Sequence, residues 1–372
     1  MTPATKGQVE VTINWVYILI VGAVILLFFF SLVQVQKNSS EENLQRDLNR
    51  IMESIFTVAG LSEKTKTSID THLADYQLSF DCQEGVSHYG LMGSASPIED
   101  AIFPLFSPTT MKAAKLSLWS LPYKLPYKVM DFLFVTSPTT QYVLVGDSGF
   151  TREFIAQTRT DPALQFSINA VQLSTEQLST FDPDKNEIRL IDVSNMPHDH
   201  DLVPLSLRPL ADEKVTAVVF IGNNLVQYLQ KEDDHWLAAG TVSLVSLGEE
   251  RDATKYAAIF SASPELYDCN IHKVWQRLGY LNEIYGGPEI AIGHAGGKLA
   301  ELQQYYQDRP YLSLSSACTI YLTTLQEALQ AQQNAVQACL LDSQSCPDLI
   351  SSATRIKTTN QQLIEEDCLS LY

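Results

Sequence analysis

Six cysteines are the residues whose chemistry most constrains this chain. None forms a C-x-x-C pair, so the usual spacings of zinc sites and thioredoxin-like redox sites are absent. Three disulfide bonds in an oxidising compartment are one interpretation, and six buried free thiols in a reducing compartment are the other. The six are Cys82, Cys269, Cys318, Cys339, Cys346 and Cys368.

The positions of four cysteines predict a pairing, if the last two predicted helices form an antiparallel hairpin. Cys318 begins the first of these helices and Cys368 ends the second, while Cys339 and Cys346 flank the turn between them. Bridges Cys318–Cys368 and Cys339–Cys346 would then clamp both ends of the hairpin. The two remaining cysteines pair by elimination, which would tie the preceding sheet region to the helical region.

The segment 198–201, His-Asp-His-Asp, is the strongest metal-binding candidate. Alternate side chains of an extended segment point the same way, so His198 and His200 could share one metal ion. Two imidazoles are an incomplete ligand set. A solvated loop between Pro197 and Pro204 is therefore the preferred interpretation.

Three other segments resemble functional motifs but lack their defining residues. Residues 182–187 open like a calcium loop, without its glycine, and are typical of a turn. Residues 146–149, Gly-Asp-Ser-Gly, resemble the nucleophile segment of chymotrypsin-like proteases but continue with Phe150 and do not form a G-x-S-x-G elbow. Residues 293–298 are one residue short of a P-loop. We therefore assign no catalytic residue and expect no cofactor.

The composition favours a globular protein that does not bind nucleic acid. The chain has 372 residues, of which 45% are apolar, and a formal net charge of -18. Neutralising phosphates requires clustered Lys and Arg, so the acidic balance argues against a nucleic-acid partner. An acidic surface that maintains solubility is the simplest interpretation.

An uncharged apolar segment near the N-terminus predicts a membrane anchor. Trp15 to Val33 contains no charged residue, and as a helix it would span roughly 28 Å, close to the hydrocarbon thickness of a bilayer. Trp15 and Tyr17 stand at one end, where aromatic rings favour the headgroup level. We therefore predict a single transmembrane helix over residues 15–35 and a lipid bilayer as partner.

Two sequence signals disagree about the orientation of this helix. Lys6 precedes the span, whereas Lys37, Arg46 and Arg50 follow it, which favours a cytoplasmic soluble domain. The six cysteines favour an oxidising compartment, and Asn38 begins an N-x-S glycosylation sequon. We give the cysteines more weight and predict a single-pass cell-membrane protein with its soluble domain outside the cytoplasm.

The N-terminus resembles an archaeal class III signal peptide of the type IV pilin kind. The resemblance rests on Lys6-Gly7-Gln8 followed closely by the apolar span. It implies cleavage after Gly7, although Thr12 occupies the position where such pilins usually carry Glu. The layout of the whole chain is also similar to that of uncharacterised single-span archaeal membrane proteins. That similarity implies an anchored α/β domain with a cysteine-bearing helical tail.

A juxtamembrane helix is predicted within residues 36–66. Its apolar residues recur at spacings of 4, 3, 4 and 3 and form a narrow seam. A short coiled-coil stalk that pairs chains into a homo-oligomer is one interpretation, and a single helix packed on its own domain is the preferred one. The seam comprises Leu44, Leu48, Ile51, Ile55 and Val58.

Residues 67–263 predict a mixed-sheet α/β domain with short helices. Tyr76, Leu78 and Phe80 alternate with polar residues, as in a half-buried strand. Further strands are predicted at 129–135, 142–145, 187–193, 215–221, 241–247 and 256–260, with a hairpin turn at 137–140 and helices at 150–158 and 225–230.

Residues 264–372 predict a helical region because the apolar period changes to 3.6. Helices are expected around 271–281, within 295–307, and over 318–340 and 349–364.

The whole sequence, including an N-terminal segment over residues 1–14, predicts a membrane-anchored protein with a structural or interaction role in the cell envelope. Other envelope proteins are possible partners. An extracytoplasmic ligand-binding or sensing domain and a metal-assisted hydrolase at His198 and His200 are the alternatives.

Overall fold

A computed structural model describes most of the chain after the predicted anchor. It covers residues 50, 52–57, 65–71, 76–93, 97–112, 114–159, 166, 168–173, 187–193, 202–222, 224–248, 251–310, 315–342 and 346–372. The strands are β1 (Lys66–Asp70), β2 (Gln77–Gln83), β3 (Val86–Leu91), β4 (Ile98–Asp100), β5 (Leu105–Phe106), β6 (Thr110–Lys112), β7 (Lys115–Lys124), β8 (Lys128–Thr136), β9 (Thr140–Val145), β10 (Asn169–Leu173), β11 (Glu187–Asp192), β12 (Val215–Ile221), β13 (Leu225–Glu232) and β14 (His235–Ser243). The helices are α1 (Gly149–Thr158), α2 (Ala253–Phe260), α3 (Pro264–Gly286), α4 (Gly297–Gln307), α5 (Ser315–Leu341) and α6 (Asp348–Glu365).

The strands form three sheets, and the predicted mixed α/β class is confirmed. The largest sheet has the order β10-β9-β11-β12-β13-β14. Its first four strands run parallel, and β13 and β14 extend the sheet beyond β12 as antiparallel strands. A second sheet has the order β1-β7-β8-β5 and a third the order β4-β3-β2-β6.

The two smaller sheets share a hydrophobic core. The predicted alternation in β2 is confirmed, since Leu78 and Phe80 are buried and face this core. A helical stretch at residues 52–57 also contributes to it through Met52 and Phe56, and the Phe56 ring centroid lies 5.0 Å from that of Tyr89. This stretch therefore packs on its own domain, while most of the predicted 36–66 helix lies outside the described residues.

The central sheet has a hydrophobic core on each face, as expected for a sheet with parallel strands. On β11, Ile191 belongs to the core shared with the helices, whereas Ile188 and Leu190 face a separate core with Val203 and Leu207. The same period of two leaves Glu187 and Arg189 on the helix-facing side of the sheet.

The four predicted C-terminal helices are confirmed as α3 to α6. Ser263 caps α3, with its side chain accepting a hydrogen bond from the Leu266 amide and Pro264 in the first turn. Buried residues of α3, α5 and α6 belong to the same continuous core as the central sheet. The helical region thus packs directly against the α/β region.

Several predictions of local structure were wrong. Residues 256–260 belong to helix α2, and residues 225–230 belong to strand β13. The predicted strand at 241–247 is only partly correct, because β14 ends at Ser243. The turn at 137–140 joins β8 and β9, which belong to different sheets, so it makes no hairpin. The antiparallel partner of β8 is β7, across residues 125–127.

Candidate functional site

Most site residues predicted from sequence motifs lie outside the described residues. These are Lys6, Gly7 and Gln8 of the signal-like segment, Asn38 of the sequon, and His198 and His200 of the metal candidate. Within the part of the chain that the structure describes, no group of three or more His, Cys, Asp or Glu side chains could hold a metal ion.

The Gly146–Gly149 segment has a local structural role. Ser148 is the N-cap of α1, and its Oγ accepts a hydrogen bond from the Thr151 amide at 3.0 Å. Asp147 forms an exposed ion pair with Arg152. The segment therefore ends a strand and starts a helix, as the sequence predicted.

All three predicted disulfide bonds are present. Cys82–Cys269 joins β2 to α3 with a Cα–Cα distance of 5.9 Å. Cys318–Cys368 and Cys339–Cys346 close the two ends of the α5–α6 hairpin, with Cα–Cα distances of 5.7 and 4.6 Å. No cysteine in the chain is free, so the free-thiol interpretation is wrong.

A buried lysine and a buried asparagine reinforce the Cys82–Cys269 bridge. Lys273 is 2% exposed, and its Nζ donates to Ser87 Oγ at 2.6 Å and to the carbonyl oxygens of Asp100 and Phe103 at 2.7 and 3.0 Å. Asn270 Oδ1 accepts from Ser87 Oγ and from the Leu105 amide, each at 2.9 Å. Because Lys273 is desolvated, the pKa of its ammonium is lowered to about 8.

Among the described residues, a cleft lies at the amino ends of the parallel strands, which we call the Arg189 cleft. It has a volume of about 450 Å3, within the usual range for small-molecule sites. Its walls come from the central sheet, from the approach to β6 and from the junction of α2 and α3. The lining residues are 108–110, 140, 142, 187–189, 212–214, 216, 230, 231 and 259–263.

The pairing register of the central strands determines which side chains form the floor of this cleft. Tyr142 on β9 is opposite Arg189 on β11, and Arg189 is opposite Thr216 on β12. Thr216 is in turn opposite Gln230 on β13. Four neighbouring strands therefore place a row of four side chains, each with a polar group at its end, at the same level of the sheet. All four lie on the helix-facing side.

Arg189 is the dominant charge in this row. It is 5% exposed, and its Nε donates to Ile259 O at 3.3 Å while Nη2 donates to Ala258 O and Ser261 O at 3.4 and 2.5 Å. These carbonyls end α2, where the helix dipole favours a cation. Its Nη1 makes no hydrogen bond, and no carboxylate pairs with the guanidinium, among the described residues. Desolvation lowers the pKa of the guanidinium.

Glu187 provides an opposing charge in the same cleft. It lies two residues before Arg189 on the same face of β11, opposite Thr140. Thr140 Oγ1 lies 3.5 Å from a Glu187 carboxylate oxygen. Burial raises the pKa of Glu187, and the positive charges of Lys214 and Lys112 partly oppose this rise. The other buried charge in the cleft, Lys231, is already paired with Asp212.

Sequence reasoning missed the Arg189 cleft because its parts are far apart in the chain. Arg189 and Ser261, for example, are 72 residues apart. The one local signal is the pattern Glu187-Ile188-Arg189, which places two charges at the start of a strand whose centre, Leu190-Ile191, suits a buried sheet.

Comparisons with known proteins identified no relative, since no family model, no curated protein and no solved structure matches the chain. Among the described residues, no helix combines the length and the apolar character that crossing a bilayer requires. The predicted span at Trp15 to Val33 lies outside those residues.

Proposed function

We propose that this chain is a single-pass membrane protein whose folded domain lies outside the cytoplasm and has a structural or interaction role in the cell envelope. The observation that carries the proposal is the use of all six cysteines in three bridges. Stable disulfides form in oxidising compartments and are rare in the cytosol. The uncharged segment from Trp15 to Val33 supplies the anchor.

The cross-links support a mechanical or scaffolding role for the domain. One bridge fastens the small β2–β3 hairpin to α3, and two clamp the α5–α6 hairpin. The helical stretch at 52–57 follows the predicted anchor closely and packs Met52 and Phe56 into the domain. This arrangement favours a rigid body held near the membrane surface, suited to contacts with neighbouring envelope proteins.

Protease protection in intact cells tests the topology. We expect protease added outside the cytoplasmic membrane to digest the domain in intact cells, with a cytoplasmic protein protected in the same sample. A variant lacking residues 1–35 is the matched control, since it should remain inside and resist digestion until cells are disrupted. Protection of the full-length protein in intact cells would refute the proposed location.

Intact mass measurement tests the disulfides independently of topology. After alkylation without reductant the mass should not change, and after reduction and alkylation six additions should appear, one for each cysteine. Additions without reductant would show that bridges are absent from the protein in cells, and the compartment argument would then fail even if the protein is membrane-anchored.

Extracytoplasmic ligand binding is a second candidate function, favoured by the Arg189 cleft. The cleft combines a suitable volume with apolar walls and a few convergent polar groups, as small-molecule sites do. Native mass spectrometry of the protein purified in mild detergent should detect a retained small molecule that is lost on denaturation. A protein that carries no retained molecule, and binds none when screened, would refute this candidate.

A further inference from the structure

We propose that the Arg189 cleft binds a small zwitterion of the amino-acid class, with its carboxylate at Arg189 and its ammonium at Glu187. This inference rests on the second candidate function, ligand binding, and does not depend on the membrane anchor. It assigns a ligand class and an orientation to the cleft.

The first argument is the incomplete pairing of Arg189. The side chain is 5% exposed, and a buried guanidinium normally pairs with an anion because desolvation of its charge is costly. Here the described partners are three carbonyl oxygens and the face of the Tyr228 ring, 5.3 Å from Cζ. These partners are uncharged, and Nη1 makes no hydrogen bond with any described residue. A ligand carboxylate would supply the missing charge, and guanidinium geometry matches it well.

The second argument is the charge of Glu187. Residues two apart on a strand are separated by about 6.6 Å along the strand, so the cleft presents a cation and a carboxyl group within reach of one small molecule. A purely anionic ligand would suffer repulsion from Glu187, whereas a zwitterion satisfies both groups. The Glu187 carboxyl is partly desolvated, and an ammonium group would compensate that cost.

The third argument is the remaining lining of the cleft. Tyr142, Ile259 and Phe260 provide apolar surface beside the charged row. Ser261 is buried and lines the same cleft, next to the Tyr228 hydroxyl. The neighbouring Tyr228 hydroxyl donates its own proton to Ala258 O at 3.0 Å. The cleft thus suits a polar ligand backbone with an apolar substituent.

Calorimetric titration of the full chain in detergent micelles tests the proposal. The panel comprises free amino acids of different side-chain size, acetate and butyrate as carboxylates without an amine, propylamine as an amine without a carboxylate, and inorganic phosphate. We expect at least one amino acid to bind, and to bind at least tenfold more tightly than every single-charge compound.

Two variants separate the contributions of the two charges. Arg189→Met should weaken amino-acid binding by about 10- to 100-fold, the range for a lost charge-assisted hydrogen bond, but it also removes the cap of α2 and could impair folding. Glu187→Gln keeps the size of the side chain and removes no ion pair to a described residue. It should weaken amino-acid binding at least about tenfold while leaving the unfolding midpoint within the range of wild type.

Asp147→Asn is the matched control, because Asp147 is an exposed carboxylate outside the cleft. It should leave amino-acid binding unchanged. The proposal is overturned if no amino acid binds, if acetate or phosphate binds as tightly as the amino acids, or if Glu187→Gln affects binding no more than Asp147→Asn. A retained molecule without an amine would also overturn it, while ligand binding as a function would stand.

Discussion

The buried Lys273 should give this protein an unusual gain in stability between pH 8 and pH 10. Its ammonium is fully enclosed by uncharged hydrogen-bond partners, and its pKa is lowered from 10.5 to about 8. Between these values the unfolded chain holds a proton that the native protein has lost. Because the unfolded state binds more protons, the free energy of unfolding rises with pH in this window.

The expected size of the effect follows from the two pKa values. A difference of about 2.5 units corresponds to roughly 3 kcal/mol between the low-pH and high-pH limits, of which roughly 2 kcal/mol falls between pH 8 and pH 10. Lys273→Met removes the titrating group and keeps an unbranched chain of similar length. The pH-dependent gain should therefore disappear in the variant, whatever its stability at pH 7.

Urea denaturation at half-unit pH steps from 7 to 10, with disulfides kept oxidised, measures this gain. Buried tyrosines such as Tyr142 have raised pKa values and lower the stability only above about pH 10, and they cancel in the comparison with Lys273→Met. Lys298→Met, which removes an exposed lysine, should give a curve parallel to wild type. Parallel curves for wild type and Lys273→Met would refute the reasoning.

Two further predictions concern a disulfide and a glycine. Replacing Cys318 and Cys368 by Ala opens a loop of 50 residues and should lower the free energy of unfolding by about 4 kcal/mol in urea denaturation. A loss below about 1 kcal/mol would show that the bridge does not restrict the unfolded chain. Gly287→Ala should cost at least about 2 kcal/mol in thermal unfolding, because Gly287 has φ 88° and an added Cβ would lie 2.5 Å from the Gly296 Cα. In contrast, a Cβ added at Gly279 inside α3 would lie 3.6 Å from its nearest neighbouring atom. Gly279→Ala should therefore be neutral or stabilise the protein by up to about 1 kcal/mol. Equal losses of stability for both substitutions would contradict the steric argument.

Prediction from sequence succeeded where the spacing of apolar residues has one clear period, or where the connection between two helices limits which residues can meet. The helices of the C-terminal region have apolar stripes with a period of 3.6, and α3, α5 and α6 begin or end close to the predicted positions. The disulfide pairing followed because a two-helix hairpin places Cys318 beside Cys368 and leaves few alternatives.

Prediction failed where burial on all sides removes the periodic signal. Every residue of α2 except Lys255 is buried, so the run from Tyr256 to Phe260 has no polar face and resembles a buried strand. The helix predicted from Leu225 to Gln230 is also wrong, since Val226, Tyr228 and Leu229 are buried in strand β13. Which strands pair, and therefore the Arg189 cleft, depends on contacts between distant segments.

The Cys82–Cys269 bridge determines how a pulling force would cross the molecule. Tension applied between the two chain ends follows the shortest covalent path, which passes directly from one sulfur to the other and bypasses the 187-residue span between the two cysteines. The whole central sheet lies within that bypassed span. The Cys318–Cys368 bridge likewise bypasses most of α5 and all of α6. Stretching the protein by its termini would therefore load β1, β2, α3 and α4, while the interior strands and their cleft carry no covalent tension.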